Sequence, residues 1–166
     1  MDKIDDTKMA LTFAELSASA ARNRLCARMA EKQGDEQRAK LLDAIAESES
    51  IKTRRALVYL RGRITGLEAY MQELVVRKKQ MFSEEYPAMA AAYTGKDERH
   101  EAEIFARYAA VAKNHHRLLK DIEEGNIPEG THYCVCSVCG YIAKNAAPEK
   151  CPVCNAVPNK FRVLHA

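Results

Sequence analysis

The 166-residue chain has no run of 18 apolar residues, so no stretch of it reads as a membrane-spanning helix. It also has little excess of either charge. Its 26 basic and 23 acidic residues leave a formal charge of +3, too balanced for a surface dedicated to phosphate backbones. The opening Met1-Asp2-Lys3-Ile4-Asp5-Asp6 lacks the apolar core of a secretory signal. The expectation is a cytoplasmic chain with neither nucleic acid nor membrane as a partner. Thiols stay reduced in that compartment, which favours metal binding over disulfides as the use of its cysteines. Repeats with a period of roughly 20–50 residues are absent, as are low-complexity segments.

What stands out is the C-terminal stretch Cys134–Phe161. It carries Cys136-Ser-Val-Cys139-Gly140-Tyr141 and, after residues 140–150, Cys151-Pro152-Val153-Cys154. Each CxxC pair makes a tight knuckle with two thiolates on one side, and folding the knuckles together gives a tetrahedral four-sulfur site for zinc or iron. The spacing does not choose between the two metals, and two disulfides are the remaining alternative. Gly140 follows the first pair, where a left-handed backbone is cheap. Pro152 stiffens the second. A tail of roughly 35 residues buries too little apolar surface to fold well alone, and a metal would supply the missing stability. The sixth cysteine, Cys26, lies in a helical pattern and is expected to be a small buried residue.

Four helical segments precede the tail. Asp6-Thr7 is a candidate cap for a first helix ending near Gln33, with apolar seam Leu11, Ala14, Ala18, Ala21, Leu25. Gly34-Asp35 separates it from a second, Glu36 to Arg61, with seam Leu42, Ile45, Glu49, Lys52, Ala56, Tyr59. A third begins near Leu67, with seam Leu67, Met71, Leu74, Lys78, Met81. Pro87 must break or kink it, and Thr94-Gly95 turns the chain. The fourth runs from about Asp97 to Glu124, with seam Phe105, Tyr108, Ala112, His115, Leu119, Ile122. Gly125-Asn126-Ile127-Pro128 reads as a linker. The fold class is therefore mainly α: a four-helix bundle over 1–127, then a small cysteine-rich metal domain with short strands over 130–166.

Polar residues interrupt three of these seams: Glu49 and Lys52, Lys78, and His115. A buried charge without a partner is costly, so the four are expected to meet in one polar layer inside the bundle. Arg22, Arg24, Arg28, Arg54, Arg55, Arg61 and Arg63 read as solvated faces, and His100 and His116 as surface residues. His132 and His165 flank the tail, where four cysteines already complete a site.

CxxCGY, then Ala147-Pro148-Glu149-Lys150-CPxC-Asn155-Ala156 and Phe161, resembles the rubredoxin-type tail of rubrerythrins. One departure is Cys134, which stands where an aromatic usually precedes the first knuckle, on the same side of an extended segment as Cys136; an idle thiol is the favoured reading, with an alternative ligand or an oxidation-prone site as the others. Ser19-Ala20-Ala21-Arg22-Asn23-Arg24, Tyr86-Pro87, and the segment around Phe105 and His115 resemble the first, third and fourth helices of the same family. The resemblance implies a ferritin-like four-helix bundle followed by a rubredoxin domain. It also implies peroxide reduction at a non-haem di-iron centre fed with electrons from a rubredoxin iron. In such proteins a homodimer brings one chain's rubredoxin domain near its partner's bundle.

Carried over position by position, the di-iron pattern fails. The first-helix Glu becomes Ala18, the second-helix Glu and His become Glu49 and Lys52, and the third-helix pair becomes Lys78 and Met81. The fourth-helix pair becomes Ala112 and His115. Ammonium groups repel cations, and one carboxylate with one imidazole is a poor holder of two irons, so no di-iron centre and no confident catalytic residue are expected. The residues then point to a rubrerythrin-like electron-transfer protein with one Fe(Cys)4 centre at Cys136, Cys139, Cys151 and Cys154, with zinc as the other candidate metal. Two further readings are a rubrerythrin-type oxidoreductase that reduces peroxide with an altered site, and a zinc-bearing structural or interaction protein. The redox partner protein is not named by the sequence.

Overall fold

The structure is a computed structural model and describes residues 6–62, 66–93, 95 and 98–164. Arg63, Thr94, Asp97 and His165 lie outside the described residues. Helix α1 spans Asp6–Lys32 and α2 Glu36–Arg61. Between them Gly34 takes φ +76°, and Asp35 caps α2 by accepting the Arg38 N–H at 3.0 Å. Helix α3, Leu67–Gln80, runs through a π-helical turn at Met81–Glu85 into α4, Tyr86–Ala92. Pro87 thus neither ends the helix nor breaks it. The N–H of Tyr86 reaches back five residues to the Met81 carbonyl, and the widened turn accommodates the proline ring that would clash with a carbonyl four residues back. Helix α5 spans Arg99–Glu123.

The tail forms a three-stranded antiparallel sheet in the order β2-β1-β3: β1 Tyr133–Cys136, β2 Ile142–Lys144 and β3 Phe161–Leu164. In the central strand Cys134 and Cys136 are buried while Tyr133 and Val135 are half-buried, so the two thiols share a face, as the period of two requires. Cys134 stands opposite Ala143 and Val163, and Cys136 opposite Phe161.

The chain divides into two compact units, Met1–Thr65 and Gly66–Ala166. In the first, α1 packs along α2. Its buried residues are small: Ala20, Ala27 and Ala30 on α1, and Ala39, Ala46 and Ala56 on α2. This corrects the phase of the α1 seam. Leu11, Ala14, Ala18, Ala21 and Leu25 are all exposed, because alanines allow the closer approach of two helices and so occupy the hairpin's contact. On α2, Ala56 is buried as expected, whereas Ile45, Lys52 and Tyr59 are exposed. Cys26 is likewise exposed, not buried; it sits beside Ala27, about 100° around the helix from the contact stripe.

In the second unit α5 packs on α3 and α4. Tyr86, Tyr93, Phe105 and Tyr108 form an aromatic cluster with centroid separations of 5.6–6.4 Å. Val111, Ala112, Asn114 and Leu118 are the buried residues of α5. His116 is not a surface residue: it is half-buried against Phe82, with ring centroids 5.4 Å apart.

Candidate metal centre

The four cysteines expected as ligands come together. Cys136 Sγ lies 3.7 Å from Cys154 Sγ, Cys139 Sγ lies 3.6 Å from Cys151 Sγ, and all four sulfurs fall within 4.8 Å of one another. A tetrahedral site with metal–sulfur bonds of about 2.3 Å has sulfurs about 3.8 Å apart. The constellation therefore fits one thiolate-bound ion and is too open for two disulfides. Cys134 is 2% exposed and is not one of the four.

The two knuckles repeat the same bonds. The Gly140 N–H donates to the Cys136 carbonyl at 2.9 Å, and the Asn155 N–H to the Cys151 carbonyl at 2.8 Å. Cys136 N–H donates to the Tyr141 carbonyl and Cys151 N–H to the Ala156 carbonyl, both at 2.9 Å. The left-handed residue that closes each knuckle is Gly140 at φ +83° in the first and Asn155 at φ +59° in the second. The sequence pointed to Gly140. Asn155 was read only as part of the motif and not as a turn residue, although asparagine is the non-glycine residue best suited to that conformation.

Main-chain N–H groups aim at the sulfurs. Burial alone would raise the Cys136 thiol, but the amides of Cys139 and Val138 and the neighbouring thiols bring it below its ordinary value. Burial raises Cys139 strongly despite the Tyr141 amide, and raises Cys154 despite the Ala156 amide. Thiols held this close ionise together only if a cation shares the charge, which is the chemistry of a metal site. Iron held there supplies one-electron redox chemistry; zinc supplies structure alone.

The helix α5 holds this tail. Asn114, 6% exposed, donates from Nδ2 to the Ile142 carbonyl at 3.2 Å and accepts the Ile142 N–H on Oδ1 at 3.0 Å. Lys144 pairs with Asp121 at 3.0 Å. His115 Nε2 lies 3.3 Å from the carbonyl of Gly140, the residue after a ligand cysteine. A carbonyl only accepts, so Nε2 carries the proton. Burial, and then the nearby Lys78 ammonium, hold His115 below the ordinary histidine range, partly opposed by the Gly140 contact. Asn114 was missed from sequence; a polar residue one step off an apolar seam was its only signal.

The seven positions of the implied di-iron pattern fall in both units. In the first unit Ala18 and Lys52 are exposed, and Glu49 is half-buried. Both Glu49 carboxylate oxygens are taken by neutral donors, Ser19 Oγ at 3.0 Å and Asn23 Nδ2 at 3.0 Å. The expected meeting of Glu49 with Lys52 is not seen within the hairpin, because the α1 side chains across the contact satisfy the carboxylate first. In the second unit Ala112 is buried, and Lys78, Met81 and His115 are half-buried.

Comparison with known proteins agrees with this geometry. Residues 135–162 match the family model described as the rubrerythrin, rubredoxin-like domain. The rubrerythrin of Porphyromonas gingivalis is 27% identical over 163 residues, covering 87% of this chain and 82% of that protein. Two nigerythrin structures share the fold. The partially reduced state has a TM-score of 0.52 at 21% identity, covering 98% of this chain and 88% of that one. The fully reduced, all-ferrous state has 0.51 at 22%, covering 98% and 89%. A mainly helical chain ending in a four-cysteine rubredoxin-type domain is thus defined by both fold and site. The tail is of the rubrerythrin, rubredoxin-like kind, and the chain as a whole is similar to a rubrerythrin.

Proposed function

We propose that this protein transfers single electrons through one Fe(Cys)4 centre, and that its helices no longer hold two irons. The observation that carries this reading is the four-sulfur cluster, with main-chain N–H groups of Cys139, Val138, Tyr141 and Ala156 aimed at its sulfurs. Such donors stabilise the more negative form and tune a potential. The loss of di-iron chemistry is supported by residue types: lysine at positions 52 and 78, methionine at 81 and alanine at 18 and 112. Glu49, the one carboxylate kept, is already engaged by Ser19 and Asn23. Peroxide reduction would need metal binding despite these changes.

The protein acts in this reading as a homodimer in the cytoplasm. Large apolar side chains are exposed on the first two helices, Leu11, Leu25, Met29, Leu41 and Ile51 among them, and contact with a second copy would cover such surface. No helix among the described residues is long and apolar enough to cross a membrane.

The test is a metal count with an absorption spectrum on anaerobically purified native protein. About one iron per chain with iron–thiolate absorption, and no peroxide consumption, is expected. Three irons per chain with peroxide turnover would overturn the reading of the helices. Colourless protein with one zinc would replace electron transfer by a structural role.

A further inference from the structure

A cleft of about 290 Å³ lies wholly within the second unit, between α3, α5 and the sheet. Leu74 of α3, Leu119 of α5 and Ile142 of β2 wall it, and Tyr133 closes one side. Lys78 and His115 also line it, and no carboxylate does. Lys78 is half-buried and forms no ion pair among the described residues. Its ammonium lies close enough to His115 to disfavour a second positive charge there. His115 is committed to the Gly140 carbonyl through Nε2 and presents a neutral ring as wall. A half-buried lysine lining an apolar cleft has no counter-charge among the described residues, and a ligand that supplies one while filling the cleft satisfies both.

We infer that this cleft binds a small apolar carboxylate, with the hydrocarbon against Leu74, Leu119 and Ile142 and the carboxylate paired with Lys78. At roughly 30 Å³ per water-sized group, the cleft takes about ten non-hydrogen atoms, the size of a medium-chain or aryl-propanoic acid. The inference rests on the reading that no iron is held at Lys78 and His115.

The probe is octanoate, with octanamide as its neutral isostere, titrated into the full-length metal-loaded protein and followed by NMR shifts of the His115 ring and by calorimetry. Octanoate is expected to saturate with a Kd of roughly 1 mM or tighter, and octanamide to bind about tenfold more weakly. Lys78→Met should erase that preference while Lys79→Met, an exposed neighbour, leaves it intact; Lys78→Gln serves should the Met variant fold poorly. Equal binding of acid and amide by the unaltered protein would overturn the inference, as would a preference that survives at Lys78→Met or no saturation by about 10 mM. A metal count on the same sample separates the two failures. One metal per chain without octanoate binding sinks only this inference, and three per chain sinks the reading beneath it.

Discussion

The side-chain amide of Asn114 brackets the peptide of Ile142, donating to its carbonyl and accepting from its N–H. One side chain thereby satisfies both main-chain groups of a strand residue three positions after Cys139. Removing it leaves a buried donor and a buried acceptor unpaired, each worth about 1–3 kcal/mol. Asn114→Ala should destabilise the second unit by about 2–4 kcal/mol, measured by denaturant unfolding of the metal-loaded protein. Asn114→Asp keeps the acceptor and loses the donor, and should fall between.

His115 gives the stability a pH dependence of definite sign. Its folded pKa lies below the ordinary value, first through burial. The unfolded chain therefore takes up the proton more readily. The contribution is fully present above about pH 6.5, the unfolded value. It is lost as pH falls from there toward the depressed folded value, and below that it changes no further. His115→Gln should flatten this part of the stability profile. Unfolding free energies from pH 8 to 5 for both proteins check it, and parallel profiles would remove His115 as the source.

The five thiols of the tail should separate cleanly. Replacing Cys136, Cys139, Cys151 or Cys154 by Ser should abolish stoichiometric metal binding and unfold the tail, since a structural metal supplies much of a small domain's stability. Cys134→Ala should keep one metal per chain and cost only about 1 kcal/mol of packing. A metal count below one in Cys134→Ala would make it a ligand.

The closing residues of the knuckles make a matched pair. Gly140→Ala adds a Cβ that meets Val111 Cγ1 at 3.9 Å, an ordinary contact, so its cost is the left-handed backbone alone, about 1–2 kcal/mol. Asn155→Gly should be close to neutral, and Asn155→Ala should cost about as much as Gly140→Ala. Thermal unfolding of the three variants tests the equivalence.

Restoring the implied ligand set tests the assignment of the helix positions. A variant with Ala18→Glu, Lys52→His, Lys78→Glu, Met81→Glu and Ala112→Glu should bind about two further irons per chain, read by metal analysis. No gain of metal would sink the assignment.

The four-cysteine cluster was legible in the sequence alone. Its spacing is local: each CxxC fixes two sulfurs through one tight turn, and Gly140 fixes how the first turn closes. Helix α2, Glu36–Arg61, was equally legible, because Gly34-Asp35 marks its start. Which helix face is buried was decided only by tertiary structure. Helix α1 carries two apolar stripes, and periodicity cannot rank alanines at 20, 27 and 30 above leucines at 11 and 25. Close packing of the hairpin favours the smaller stripe. The partners of the polar residues were settled the same way. Glu49 meets Ser19 and Asn23 from 30 and 26 residues away, and His115 meets Gly140 from 25 residues away. Local spacing carries no record of such distances; they exist only once the elements have packed.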